Sequence, residues 1–157
     1  IMVTVRTADC VPVLLHDPIQ HIVAAVHAGW RGAVAGIVPN TIAAMTGRFG
    51  GEATTLRMAI GPSAGACCYE VDEPVLSRLR NAFPDWQQVI EEQPSRTALL
   101  DLRELIRRQA LVSGLAEHNI AVANACTMCH PNLFFSYRRE GVVKSTMVSG
   151  IALVPRS

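Results

Sequence analysis

The chain has 157 residues, of which 50% are hydrophobic, and it carries 14 basic and 13 acidic side chains for a formal charge of +1. This length suits one domain with a substantial core. The balanced charge gives no electrostatic footprint for a nucleic-acid backbone or an anionic membrane, and no apolar run approaches the ~18 residues of a membrane span. Five cysteines cannot all pair within one chain, so we predict a reduced, cytoplasmic protein.

The first third of the chain predicts three strands followed by a helix. Alternation in "VTVRT" predicts a strand, and "VPVLLH" and "HIVAAVH" predict two buried strands around a turn at Asp17-Pro18. Pro39 should kink or interrupt the helix, and Gly47 should end it. Helical spacing places five apolar side chains on one face of this helix, namely Val34, Ile37, Val38, Ile42 and Met45.

The rest of the chain mixes helices and strands. "TTLRMAI", "NIAVANA" and "VKSTMVSGIALVP" predict strands, and Pro74 suits the first turn of a helix. Asp101 and Glu104 form a capping signal for the helix "LRELIRRQALVSG", which Gly114 should stop. Strict strand–helix alternation is missing from this order, so an α+β fold is predicted rather than a doubly wound sheet.

Cys10 and His27 each lie at the end of a strand-like run. If those two strands are adjacent, the side chains can converge as a nucleophile with its base or as two zinc ligands. The alternative is a small buried cysteine and a hydrogen-bonded core histidine. Asp9 and the segment 29–32, "GWRG", favour a site because they are not core-filling residues. Arg31 is then either an anion ligand at a helix start or half of a surface salt bridge.

The segment "CTMCH", residues 126–130, has the spacing of covalent haem attachment, of half a zinc knuckle and of a redox pair. No export signal accompanies it, which disfavours haem. A zinc site needs two more ligands, and the sequence contains no second C-x-x-C. We therefore expect two reduced cysteines in a loop near the functional site.

The segment "FFSYRR" combines aromatic rings with two arginines. Arg138 and Arg139 suit anion binding beside a flat ring, and one of the two is expected to be structural. In "GPSAGACCYEV", Tyr69 and Glu70 either line a pocket or cap a helix.

Five segments together resemble the YfiH-like family, whose members are labelled laccase-domain proteins, polyphenol oxidases, peptidoglycan editing factors and purine nucleoside phosphorylases. In order, they are "TADCVPVLL", "HAGWRG", "IGPSAGACCYEV", "LDLRELIRRQAL" and "CT…FFSYRREG", and they run from Thr7 to about Gly141. The resemblance implies an α+β fold of layered β-sheets with helices packed outside, here as one domain over residues 1–157.

The resemblance also implies one metal ion, usually zinc, bound by a histidine, a cysteine and a second histidine. Cys10 and His27 match the cysteine and the second histidine. The first histidine belongs to a segment upstream of "TADC", and no histidine precedes Thr7 here. Ile1 also precedes Met2, which reflects either missing upstream sequence or a cloning scar. We therefore expect an N-terminal portion to be lacking, and metal binding to depend on it.

By resemblance, the expected function is a metal-dependent purine nucleoside phosphorylase with adenosine deaminase activity. Cys10 and His27 would be catalytic and hold zinc (alternatively copper), which can activate water for deamination. Arg31 would be catalytic too and, with Arg138, would bind phosphate for phosphorolysis. The expected partners are a small nucleoside and phosphate, with no nucleic acid and no membrane; the oligomeric state stays open.

Three alternatives compete with this function. A copper-dependent polyphenol oxidase ranks lower because multicopper chemistry needs many histidines and the chain has five, mostly unclustered. A metal-free cysteine hydrolase would use Cys10 and His27 on cell-wall precursors. The third alternative is that this chain by itself is a scaffold without turnover, so that any activity requires the upstream segment.

Overall fold

The computed structural model describes residues 1–154, which form nine strands and five α-helices. The strands are β1 (Met2–Thr7), β2 (Val11–Asp17), β3 (Ile22–Ala28), β4 (Arg57–Ile60), β5 (Glu70–Val71), β6 (Ile90–Glu92), β7 (Ala98–Leu100), β8 (Ile120–Val122) and β9 (Met147–Ala152). The helices are α1 (Trp30–Val34), α2 (Ile37–Phe49), α3 (Glu73–Ala82), α4 (Leu102–Val112) and α5 (Tyr137–Glu140).

The strands form three small sheets. The largest has the order β3-β2-β4-β8, with β2 antiparallel to both neighbours and β8 parallel to β4. Strands β1 and β9 pair antiparallel, and β5-β7-β6 form the third sheet. The predicted α+β class is confirmed, because antiparallel pairs dominate and the helices do not alternate regularly with the strands.

The core lies between the four-stranded sheet and helices α2 and α4. Val11, Val13 and Leu15 of β2 are fully buried. Helix α2 packs against β3 and α4, and the apolar residues of its predicted face within the helix core, Val38, Ile42 and Met45, are buried. Gln109 on α4 donates a hydrogen bond of 2.8 Å to the carbonyl of Ala33 on α1. This bond fixes α1, and with it Trp30 and Arg31, relative to the core. Over residues 1–154, no helix combines the length and apolarity needed to cross a bilayer.

The predicted helix after β3 is interrupted at Gly36 rather than at Pro39. Gly36 has a φ of 74°, a left-handed conformation that glycine adopts without steric cost. Pro39 lies in the first turn of α2, where a missing N–H breaks no intrahelical bond. The prediction that Gly47 ends the helix is also wrong: α2 continues to Phe49, and Gly50 caps it with a φ of 72°.

The local signals at other turns are confirmed. The Asp17 carboxylate accepts hydrogen bonds from the backbone N–H groups of Ile19 and Gln20, at 2.8 and 2.9 Å, in the turn between β2 and β3. Asp101 accepts one from the N–H of Glu104 at 2.9 Å and so caps α4. Gly114 follows α4 with a φ of 95°.

Candidate active site

Cys10 and His27 lie at the same end of the β2–β3 hairpin. Val11 pairs with Ala28 and Pro12 with His27, so Cys10, one residue before β2, faces Gly29. A Cβ atom on Gly29 would lie 2.9 Å from the Cys10 sulfur, which confirms that the thiol covers that residue. His27 lies opposite Pro12, which is two positions along the chain from Cys10.

The Cys10 thiol is half-buried, whereas His27 is exposed. Burial raises the pKa of the Cys10 thiol, and the negative charge of neighbouring Asp9 raises it further. At neutral pH the isolated thiol is therefore protonated. A cation beside the sulfur would favour the thiolate, which is the form that attacks substrates and binds metals.

A cavity of about 350 Å³ connects three of the predicted site residues, Cys10, Arg31 and Arg138. The Arg31 guanidinium lies 4.5 Å from the ring centroid of Trp30, and that of Arg138 lies 5.0 Å from the ring of Tyr69. His27 is outside the lining. The complete lining consists of Ala8, Asp9, Cys10, Trp30, Arg31, Tyr69, Leu102, Tyr137 and Arg138.

A second, larger cavity of about 530 Å³ lies against β4 and β8. Its lining includes His16, Arg57 and His118 but none of the predicted site residues. The smaller cavity, which Cys10, Arg31 and Arg138 line, is therefore the candidate active site.

The buried carboxylate of Asp9 joins the segments that form the smaller cavity. It accepts hydrogen bonds from the hydroxyls of Thr127 (2.6 Å) and Ser136 (3.0 Å) and from the backbone N–H of Arg138 (2.7 Å). Asp9 has a φ of 83°, which directs Cys10 into the following strand. Three donors compensate the cost of burying this charge. Sequence reasoning missed the roles of Thr127 and Ser136, because neither belongs to a pattern with Asp9.

Arg138 and Arg139 have different roles, as expected. The Arg139 guanidinium donates to the carbonyls of Thr127 (2.6 Å), Phe134 (2.8 Å) and Met128 (3.2 Å), so it holds a loop in place. Arg138 donates to the carbonyl of Glu70 at 3.1 Å, and its guanidinium lines the cavity. Tyr69 is buried beneath it, so the tyrosine lines the pocket.

Four cysteines from two loops come together in the fold. The sulfurs of Cys67, Cys68, Cys126 and Cys129 all lie within 4.8 Å of one another, and this cluster can hold a metal ion. The sequence expectation that no second cysteine pair completes a site is wrong, because the other two ligands are adjacent in sequence and form no C-x-x-C. Cys126 differs from the rest: burial raises its pKa, but backbone N–H groups of Gly65, Cys129 and Met128 lower it more, to about 7.

Cys10 and His27 supply one sulfur and one nitrogen, donors that suit zinc. A catalytic zinc site usually has three protein ligands. Within residues 1–154, the cysteine cluster is the one group of three or more His, Cys, Asp or Glu side chains close enough to share an ion. The described part of the chain therefore gives Cys10 and His27 no third ligand, and their role in metal binding stays a prediction.

The family model described as multi-copper polyphenol oxidoreductase laccase matches residues 1–154. A purine nucleoside phosphorylase from Bacteroides thetaiotaomicron is 37% identical over 150 residues, which are 95% of this chain and 56% of that protein. Adenosine deaminase RL5, from an unknown prokaryotic organism, is 34% identical over 152 residues, covering 96% of this chain and 58% of the relative.

The crystal structure of the hypothetical protein YfiH from Bacillus licheniformis matches with a TM-score of 0.93 and 34% identity, covering 98% of this chain and 58% of that one. The chain therefore spans a little more than half the length of these relatives. The family model covers all five motifs: the chain belongs to the multi-copper polyphenol oxidoreductase laccase family, the YfiH-like proteins.

Proposed function

We propose that this chain carries the phosphate- and nucleoside-binding part of a purine nucleoside phosphorylase that also deaminates adenosine. The observation that carries the proposal is the convergence of Arg31 and Arg138 on one cavity that also exposes the Cys10 thiol. Relatives named purine nucleoside phosphorylase and adenosine deaminase support the reaction class.

The two arginines suit a phosphate ion in both charge and geometry. A guanidinium presents a planar fork that matches phosphate oxygens in pairs. Stacking on Trp30 and Tyr69 restrains the two side chains before phosphate arrives. A cavity of about 350 Å³ is within the usual range for small-ligand sites.

In phosphorolysis, a phosphate oxygen bonds to the ribose anomeric carbon while the bond from that carbon to the purine nitrogen breaks. The electron pair of the broken bond moves onto the base, which takes up a proton. Arg31 and Arg138 would hold the phosphate in place for this displacement. Tyr137, which is exposed and lines the cavity, offers a ring for stacking the purine.

The proposed cofactor is zinc at Cys10 and His27, with a third ligand from elsewhere in the complete protein. When bound, zinc lowers the pKa of a coordinated water and polarises a substrate atom, as hydrolytic deamination requires. Zinc is preferred over copper because neither reaction involves a change of oxidation state. Five free thiols within residues 1–154 favour a reducing compartment such as the cytoplasm.

The family name favours a copper-dependent polyphenol oxidase as the second candidate. Within the described residues, however, no histidine belongs to a group of three or more potential ligands, whereas multicopper sites need several. A metal-free cysteine hydrolase is less consistent with the structure, because burial and Asp9 raise the pKa of the Cys10 thiol.

The deciding experiment incubates the full-length protein with adenosine and with inosine, with and without phosphate and a chelator, and identifies the products. We expect ribose 1-phosphate and free base only when phosphate is present. Adenosine should also yield inosine and ammonia without phosphate, and a chelator should suppress this reaction. Oxygen consumption with a phenol as the sole activity would instead establish the oxidase.

A further inference from the structure

We propose that Cys67, Cys68, Cys126 and Cys129 bind one zinc ion as a closed structural site, separate from the Cys10–His27 pair. The cysteines come from two loops: Cys67 and Cys68 precede β5, and Cys126 and Cys129 follow β8. Neither loop alone supplies enough ligands, so the ion would cross-link segments that are far apart in the sequence.

The spacing of the sulfurs matches a single tetrahedral ion. The Cys129 sulfur lies 3.3 Å from that of Cys68 and 3.6 Å from that of Cys67, and all four sulfurs lie within 4.8 Å of one another. Zinc–sulfur bonds of about 2.3 Å at tetrahedral angles separate the sulfurs by about 3.8 Å. An iron–sulfur cluster distributes its thiolates over several iron atoms, so it needs more widely spaced ligands.

The surroundings of Cys126 favour a negatively charged sulfur. The backbone N–H of Gly65 donates a hydrogen bond of 3.3 Å to the Cys126 sulfur. A Cβ atom on Gly65 would lie 3.0 Å from an Arg103 guanidinium nitrogen and 3.4 Å from the Cys67 sulfur, so this cation lies beside the cluster. A donor and a cation around the ligands are typical of metal sites, where they orient and stabilise the thiolates.

The two loops are already joined before any ion binds. Ser63 and Cys126 form a parallel β-bridge, and the N–H of Thr127 donates to the carbonyl of Ser63 at 3.0 Å. Arg139 holds the carbonyls of Thr127 and Met128 inside the C-x-x-C turn. The ligands are thus pre-positioned by backbone contacts, as in a structural site. Cys67 and Cys129 are exposed, which gives the ion a path to the site.

Binding is an acid–base step without electron transfer. Each thiol that still carries its proton releases it to solvent, and the sulfur lone pair forms the bond to zinc. Four thiolates occupy all four tetrahedral positions, so no position remains for water or substrate. We therefore assign the ion no part in the reaction at the cavity.

The test measures metal content and cobalt spectra of the full-length protein, purified with reductant and without a chelating tag. Cys10→Ser is the background variant, because it removes the thiolate of the other metal site. In that background we expect one zinc per chain by mass spectrometry. Cobalt substitution should give a sulfur-to-cobalt charge-transfer band and strong tetrahedral d–d bands. Adding Cys67→Ser and Cys129→Ser should abolish both the zinc and the band.

The outcomes separate cleanly. Unchanged zinc content in the protein with Cys67→Ser and Cys129→Ser would overturn the proposal. Copper or iron as the bound metal would also overturn it. So would a disulfide between the two loops in the Cys10→Ser protein. If the multiple variant does not fold, the cobalt spectrum of the Cys10→Ser protein decides alone: a missing charge-transfer band would refute thiolate ligation. Nucleoside turnover is not a readout, so the proposed enzymatic function can fail independently.

Discussion

The carboxylate of Asp9 accepts a hydrogen bond of 2.6 Å from the hydroxyl of Thr127, although 118 positions separate the two residues. Both side chains are buried. Asp9 directly precedes Cys10, and Thr127 directly follows Cys126. This bond therefore connects the loop that presents the candidate active-site thiol to the loop of the cysteine cluster.

Replacing Asp9 with Asn should destabilise the protein strongly. Asparagine tolerates the left-handed backbone at this position, but its NH2 group cannot accept a hydrogen bond from the hydroxyls or N–H that the carboxylate oxygens bind. We expect a loss of about 2 kcal/mol in the free energy of unfolding, measured by urea denaturation. Asp72→Asn, at an N-cap with no side-chain capping bond, is the control and should cost far less. Equal losses would contradict the central role of Asp9.

Arg138 and Arg139 offer a matched pair of neighbours. Arg138→Ala should raise the KM for phosphate at least tenfold while leaving stability nearly unchanged, because its guanidinium lines the cavity. Arg139→Ala should instead lower the free energy of unfolding by about 2 kcal/mol, since three carbonyls lose a charged donor. Arg31→Ala should behave like Arg138→Ala. Unaltered phosphate dependence in both cavity variants would remove the arginines from phosphate binding.

Cys10→Ala and His27→Ala should each abolish metal binding at the candidate active site and nucleoside turnover in the full-length protein. The reason is that each variant removes one of two donors at the same end of the hairpin. Metal content and product formation are the measurements, and His21→Ala, in the turn before β3, is the control. Wild-type rates in either of the first two variants would end the zinc mechanism.

Gly29→Ala should lower turnover, whereas Gly47→Ala should raise stability. A Cβ on Gly29 would lie 2.9 Å from the Cys10 sulfur, so the thiol must move and turnover should fall. Gly47 lies within α2 and has no atom within 4 Å of an added Cβ. Alanine there should raise the free energy of unfolding by about 0.5–1 kcal/mol. Full activity in Gly29→Ala would show that the exact position of the thiol is unimportant.

Glu104→Gln should reveal a pH-dependent contribution to stability. Hydrogen bonds from Arg107, and secondarily from Arg108, lower the pKa of Glu104 against the opposing effect of burial. A lowered folded-state pKa stabilises the protein above the ordinary value of 4.5, and this contribution disappears as the pH falls through the folded-state pKa.

We expect Glu104→Gln to cost about 0.5–1 kcal/mol at pH 7, with the difference from the unmodified protein narrowing below pH 4.5. Thermal unfolding across this range is the measurement. Glu117→Gln is the control, because Glu117 is largely exposed and contacts only the outer nitrogen of Arg107. A difference that persists at acid pH would show that the carboxylate charge is not responsible.

The sequence predicts those parts of the fold that depend on local chemistry. Asp101 caps α4 and Gly114 follows it because caps and left-handed glycines act within one turn. The proline rule places the break before α2 at Pro39, but a proline in the first turn of a helix removes no intrahelical hydrogen bond. The break lies at Gly36, whose φ of 74° is left-handed.

The candidate site was harder to predict because its members meet through tertiary contacts. The resemblance matched Cys10 and His27 to metal ligands, and Arg31 and Arg138 were the phosphate candidates. Cys10 and the two arginines share a cavity, whereas His27 lies outside its lining. No sequence pattern pairs Cys67 and Cys68 with a C-x-x-C that follows almost sixty residues later; only the neighbouring loops after β4 and β8 bring these residues together. The same is true of Asp9 and its donors, which are 118 to 129 positions apart in the sequence.

Thr127 stands at the junction of both regions, with its side chain on Asp9, its N–H on Ser63 and its carbonyl on Arg139. Thr127 would therefore connect an ion bound to the adjacent Cys126 with a nucleoside bound beside Asp9. Thermodynamic reciprocity then sets a rule: if occupancy of the cysteines tightens substrate binding by some factor, substrate must tighten retention of the ion by that same factor.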